Sequence, residues 1–400
     1  MRCLFICCVL VGSACGSTTV EPETAVQTEP TGTSSSTAAN EAATSTSVLA
    51  TDEPIEEAIA FESRPDAKFE TLFDAVPAEG ISFEVTMSKP HAAAFDQQLS
   101  APVVATKEST RAYVKALAAA AADTPRGSNL GGILGALDVD DVEDWEAAYG
   151  FTVNDVVTQL RFFTDQGTVW VGMVDVEAET IIEAVGSEAF WSAHLQESEH
   201  AGLSYFRWDT GRRQNIDGVS QPRPEGIGGQ LALIDGLVIR TTEEQDMHDT
   251  LATLAGEADA LSDDPAVRHA LQRVDSLGLT TAYMAWPEPL ETILFGHDSL
   301  TVESVVAERP LLGPYTAAIA GHNLTTDAIV LIHDDALSTA ENEQALVKVV
   351  SEVEPWNELL SLTSITADER VVAAQFDRDS QVVVSSLPTR KPLYWARPSD

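Results

Sequence analysis

The chain has 400 residues and a formal net charge of −40, from 63 acidic against 23 basic residues. So acidic a surface disfavours nucleic acid and anionic lipid headgroups as partners, because both are bound through basic patches. Apolar residues make up 44% of the chain, enough for a real core.

The first fourteen residues read as a secretory signal. Met1-Arg2 gives a minimal positive start, Cys3 to Val11 is a short apolar run, and Gly12-Ser13-Ala14 supplies small residues before Cys15. A membrane-spanning helix needs roughly 20 apolar residues, so cleavage is favoured over a permanent anchor. Cys15 is the candidate lipidation site, although Gly12 stands where such signals usually carry Leu, Val or Ile; secretion without lipid is the alternative. All 4 cysteines precede residue 16, so a lipidated Cys15 leaves no thiol for disulfides, nucleophiles or metal sites.

Residues 15–54 form the expected linker. From Gly16 to Pro54 there is no Lys, Arg, aromatic or Cys, and 16 residues are Ser or Thr. Such a stretch cannot bury enough apolar surface to offset its ordering entropy and is expected to be a disordered tether, with an r.m.s. span on the order of 35 Å.

The body from about residue 55 is too long for one small core. Phe69 to Val76 predicts a short helix stopped by Pro77, Ile81 to Met87 a strand, and Pro90 to Leu99 a helix. Ala101 to Val157 reads as an insertion, with helices over Thr110–Ala122 and near Val142–Tyr149 around a Gly-rich turn at 127–135. Thr168–Val174 predicts a strand leading into a helix over Glu177–Val185. Leu203–Trp208 is a strand, and Asp235-Gly236 between apolar runs marks a type I′ hairpin. Helices follow over Glu243–Leu254 and Pro265–Val274, the second with Ser262 as N-cap candidate.

Downstream the plan repeats. Leu279–Trp286 runs through Pro287 into a helix over Glu288–Leu294, as Ile81–Met87 runs toward Pro90. Ala328–His333 leads into Ser338–Val353, as Thr168–Val174 leads into Glu177–Val185. Arg370–Phe376 and Gln381–Ser386 read as a further hairpin about a turn at Asp377–Ser380. The expected class is α+β: two related β-α-β-β type units over 55–275 and 276–400, with mainly antiparallel sheets and helices packed on one face.

Chemistry is sparse. Gly-x-Ser-x-Gly, Ser-x-x-Lys, His-Glu-x-x-His and Walker-type loops are all missing from the sequence, and Gly226-Ile-Gly-Gly229 precedes a strand rather than opening a helix. Asp138 to Asp144 lacks the glycine and bidentate Glu of a calcium loop and reads as an acidic helix start. His194 and His200 are off helical spacing, and His333-Asp334-Asp335 reads as a solvated turn at a strand end. No catalytic, cofactor or metal residue is assigned. Trp170 and Trp208 fall on strands as core residues. Trp191, Trp286, Trp356 and Trp395 lie near element ends and are the candidate partner-binding aromatics.

Four features carry a weak resemblance: Val76-Pro77-Ala78, the Ile234-Asp-Gly hairpin running into 243–254, Ser262-Asp-Asp-Pro265, and Pro355-Trp356 before Leu359-Leu360. In these the chain resembles uncharacterised bacterial surface lipoproteins that contain domains of unknown function. The resemblance implies an envelope location and no activity. The expected function is a lipid-anchored extracytoplasmic protein that binds or scaffolds envelope proteins or glycans without a cofactor. The alternative is a hydrolase or processing factor of unfamiliar class, with an acid/base site between the two units.

Overall fold

A computed structural model describes residues 68–90, 108–116 apart from 114, 142–187, 194–208, 229–295, 300–377 apart from 324, and 383, 386–387 and 392–397. They belong to one compact unit, Ile59–Asp400. The signal and tether, Trp191, the Gly-rich turns at 127–135 and 226–228, Asp138 to Asp141, and residues 91–99 of the helix expected over 90–99 lie outside the described residues.

The body is α+β and is organised by one antiparallel sheet of 12 strands. In chain order the elements are α1 (Phe69–Phe73), β1 (Ile81–Ser88), α2 (Val142–Tyr149), β2 (Val156–Thr164), β3 (Thr168–Val174) and α3 (Ala178–Ser187). Two hairpins follow, β4 (Leu195–His200) with β5 (Leu203–Trp208), and β6 (Gly229–Ile234) with β7 (Leu237–Thr241). After them come α4 (Glu244–Leu254), α5 (Pro265–Ser276), β8 (Thr281–Ala285), α6 (Leu290–Ile293) and α7 (Val302–Glu308). The chain closes with β9 (Ala317–His322), β10 (Thr326–Ile332), α8 (Ala336–Glu352), α9 (Trp356–Leu359), β11 (Leu362–Asp368) and β12 (Val371–Asp377).

The strand order is β11-β12-β10-β9-β8-β1-β2-β3-β7-β6-β5-β4. The expected units over 55–275 and 276–400 therefore share a sheet, joined where β1 pairs antiparallel with β8, Thr86 opposite Tyr283. On either side of that seam the order is alike: β1-β2-β3 with the β6–β7 hairpin beyond, and β8-β9-β10 with the β11–β12 hairpin beyond. The β4–β5 hairpin extends the first side alone.

Local chemistry explains the turns. The hairpins β4–β5, β6–β7 and β11–β12 each close over two residues, and left-handed backbone occurs at Ala201 and Gly202, Asp235 and Gly236, and Glu369 (φ +48 to +83°). Asp235-Gly236 is the expected type I′ turn. The last hairpin departs from expectation. β12 pairs with the preceding β11 through Glu369-Arg370, while Val383 and Ser386, within the strand expected over 381–386, are helical. At α5 the cap is Asp264, which accepts from the Ala266 N–H at 2.7 Å, rather than Ser262. The Ser262 hydroxyl is buried and donates instead to Asp74 at 2.6 Å.

Helices lie on the expected face, and a second set covers the other. On the first face, α1, α4 and α5 pack Phe69, Phe73, Met247, Leu251, Val267 and Leu271 against Val85, Val171, Ile239 and Val330. On the second, α2 and α3 cover the β3–β7 side through Trp145, Tyr149 and Ile181, and α8 with α9 cover the β9–β12 side through Leu346, Val349 and Trp356. The strands require both layers. Every residue of β8 and β9 is buried, and a strand apolar on both faces has to be covered on both.

Candidate functional site

Of the aromatics expected to face a partner, Trp356 and Trp395 are 2% and 7% exposed and belong to the hydrophobic clusters, so their rings are spent on packing. This corrects their assignment: Trp356 opens a short helix whose apolar side faces the sheet, and Trp395 fills the gap beside Leu290 and Val305. Trp286 is part-buried against the main core. Trp208 is core, as expected. Trp170 is part-buried, packed against the cluster under α2 and α3.

The histidines divide into two settings. His333 is fully buried, not a solvated turn. Its Nδ1 faces the Arg370 carbonyl at 3.2 Å, which only accepts, so Nδ1 carries the proton and Nε2 accepts from Asn342 Nδ2 at 2.8 Å. Asn342 also accepts from the Gly313 N–H (2.6 Å) and donates toward the Gly313 and Pro314 carbonyls (3.2 and 3.1 Å), which fixes its amide orientation. Burial holds the His333 pKa below its ordinary value, outweighing the carboxylates of Asp334 and Asp335. Asp335 caps α8 by accepting from Leu337 and Ser338. This is a structural lock between β10, α8 and the segment before β9.

The second setting has functional character. Where β5 meets α4, the Tyr205 hydroxyl donates to Glu244 Oε1 at 2.8 Å and lies 3.0 Å from His248 Nε2. The hydroxyl has one proton, already given to Glu244, so His248 Nε2 is the donor in the second pair. Arg207 donates to the same Glu244 oxygen at 2.6 Å and to Gln196 at 3.2 Å. The His200 ring, at the end of β4, stacks on His248 with centroids 4.0 Å apart and planes 7° from parallel.

The electrostatics follow from these contacts. Burial and the Glu244 carboxylate push the Tyr205 hydroxyl above its usual pKa. Desolvation would raise Glu244, but the bonds from Tyr205 and Arg207 outweigh it and hold its carboxyl below the usual range. Burial, then the neighbouring His200, lowers His248. Two parallel rings do not converge their in-plane lone pairs on one point, so this is no metal clamp. Among the described residues, no group of three or more His, Cys, Asp or Glu side chains is placed to hold a metal ion.

The middle of the sheet's second face holds another arrangement. Residues directly opposite one another in antiparallel strands share a face. The register from β11 to β4 therefore aligns Ile365, Ala374, Ile329, Ala320, Tyr283, Thr86, Arg161, Trp170, Arg240, Leu231, Phe206 and Glu197 in one row. The row is apolar under α8 and becomes polar at the seam. Arg240 places its guanidinium 5.1, 5.5 and 5.7 Å from the ring centroids of Trp170, Trp145 and Tyr149, an aromatic cage filled by the chain's own cation. Arg161 lies over the Phe163 ring at 4.9 Å. Gln159, one row along, donates to Ser88 across the same β1–β2 pair at 2.8 Å.

No protein-family model matches this chain, and no curated protein is significantly similar to it. Among solved structures it is similar to crystal form I of TP0453 from Treponema pallidum, at 9% identity over 80% of this chain and 97% of that one, with a TM-score of 0.33. That likeness is too slight to carry fold detail or function across. Among the described residues no helix is long and apolar enough to cross a membrane.

Proposed function

We propose that this chain is a lipid-anchored extracytoplasmic protein that binds or scaffolds an envelope component, held from the membrane by the 15–54 tether and built from an internally duplicated α+β body. The anchor rests on the Gly12-Ser13-Ala14-Cys15 sequence, and the duplication on the like strand order either side of the β1–β8 seam. The observation that carries binding over catalysis is the mutual occupation of the Tyr205 cluster. Glu244, the group best placed to act as a base, already accepts from Tyr205 and Arg207, and its lowered pKa makes it a poor one.

Membrane fractionation tests the anchor. Wild-type protein should pellet with membranes and take up labelled fatty acid, and Cys15→Ala should do neither; retention of the variant in the membrane fraction refutes the anchor. Cross-linked capture from native envelopes tests the partner, and failure to recover any component reproducibly counts against scaffolding.

One observation favours a second reading. The His248–Tyr205–Glu244 chain has the connectivity of an acid/base relay, as the alternative of a hydrolase or processing factor requires. It lies between β5 and α4, within the first side of the sheet and not between the two units. Hydrolytic activity abolished by His248→Ala would favour it.

A further inference from the structure

The row across the second face contains two polar groups whose hydrogen-bonding capacity is unused, side by side. Thr86 is 7% exposed, and its Oγ1 is buried without a partner. Arg161 stands directly opposite it in the β1–β2 register, part-buried, with its Nε buried and likewise without a partner. Among the described residues no carboxylate pairs with Arg161, although the chain carries 63 acidic residues. Glu84, two residues along β1 on the same face, has an interaction of its own.

Leaving a buried donor unpaired costs about 1–3 kcal/mol, and more for a charged group. A sequence this rich in Asp and Glu has abundant means to neutralise an arginine. That this one, at the seam, is left with a guanidinium edge free beside an unused hydroxyl is the mark of a group kept for something outside the chain. Its aromatic neighbours fit the same purpose. Phe163 supports the guanidinium face, and Trp170, whose ring also carries Arg240, stands opposite Arg161 in register. Ser88 and Gln159 extend the polar floor.

We infer that Arg161 and Thr86 form a binding site for an oxyanion head group, carboxylate or phosphate, at the seam of the two sheet halves. The guanidinium supplies charge-assisted N–H donors and the Thr86 hydroxyl a further donor, while Trp170 meets the apolar or sugar portion of the ligand. This deepens the binding reading by naming a ligand chemistry, yet it stands on β1 and β2 and does not need the lipid anchor.

Isothermal titration of the full chain with sodium acetate and, separately, inorganic phosphate tests it. At least one anion should bind saturably, and whichever binds more tightly identifies the head group. Arg161→Ala and the near-isosteric Thr86→Val should each weaken that binding by roughly 10-fold or more. Arg268→Ala, an arginine already placed beside Glu70 and Asp263, should leave it unchanged. Circular dichroism checks that each variant is folded; should Arg161→Ala fail to fold, Arg161→Gln keeps the stem and removes the charge. Absence of saturable binding by either anion, or equal binding by wild type and the folded variants, overturns the proposal. Anion binding that persists when envelope capture yields nothing would keep the site and discard the scaffold.

Discussion

Asn342 is the residue whose loss the structure makes most costly for its size. It is fully buried on α8 and makes four contacts: it accepts from Gly313 N–H and donates toward Gly313 O, Pro314 O and His333 Nε2. Asn342→Ala leaves the part-buried Gly313 N–H and the buried His333 Nε2 acceptor without partners, while the more exposed Pro314 carbonyl can turn to water. Each costs about 1–3 kcal/mol, and the better helix propensity of alanine returns roughly 0.5 kcal/mol, so the net loss is about 3 kcal/mol. That is a large share of the 5–15 kcal/mol that typically holds a domain folded. Urea unfolding followed by near- and far-UV circular dichroism should show the midpoint falling at nearly constant slope. Asn342→Leu, which keeps asparagine's branched skeleton without its polar atoms, leaves no cavity: it should destabilise by at least a similar amount, because it orphans the same groups and its methyl groups are bulkier. A double-mutant cycle with His333→Phe should return a coupling energy of about 1 kcal/mol or more. A loss below about 0.5 kcal/mol in Asn342→Ala, the range of ordinary surface substitutions, would refute the lock.

The same lock sets a pH dependence. The folded-state pKa of His333 is lowered, so the folded protein binds fewer protons there than the unfolded chain, and stability falls as pH drops through the ordinary histidine range near 6.5 toward the lower folded value. The contribution is at most about 1.4 kcal/mol per pH unit for one proton and should vanish in His333→Phe, as urea midpoints measured from pH 7.5 downward will reveal. Gly150 has φ +73°, and a Cβ there would meet the Thr180 carbonyl oxygen at 2.8 Å. Gly150→Ala should therefore destabilise by about 2 kcal/mol or more by prising α2 from α3, whereas Gly80→Ala (φ +88°, open space around its Cβ) should cost only the backbone term of about 1 kcal/mol.

How far the fold was legible depended on whether an element announced itself by an apolar period. β1, β3, β5, β8, β10 and β12 did, as did α4, α5 and α8. β4 (Leu-Gln-Glu-Ser-Glu-His) is a polar edge strand with little to bury, and its acidic residues suit an edge better than a core. β9 (Ala-Ala-Ile-Ala-Gly-His) is buried at every position yet mostly small, because it packs closely on β8: a Cβ on Gly321 would meet Leu279 at 2.7 Å and the Thr281 carbonyl at 2.8 Å. The chain turns its last hairpin at Glu369-Arg370, although Asp377-Arg-Asp-Ser380 carries the stronger turn chemistry in the sequence. Site residues were harder. Nothing local couples Thr86 to Arg161, 75 positions on; only sheet register does. Asn342 did leave a trace: it shares the buried stripe of α8 with Thr339, Leu346 and Val349, where a polar residue demands a buried partner.

An anion site in a chain of net charge −40 meets an obvious objection, and distance answers it. At physiological ionic strength the Debye length is about 8 Å, so carboxylates spread over the surface act on a bound anion only weakly beyond that range. A guanidinium in direct contact acts at about 3–4 Å through a medium less polar than water, where the same unit charge is worth several times more. The far field therefore slows the approach of an anion without dictating its affinity, which the nearest charge decides. An arginine displayed among surface carboxylates would be claimed by one of them, as Arg207 is by Glu244. Arg161, set into a sheet face and flanked in register by Thr86 and Trp170, is claimed by no carboxylate among the described residues, and its Nε stays without a partner. On this reasoning the acidic composition and the unpaired Arg161 are compatible, and the placement of the charge at the seam is what makes them so.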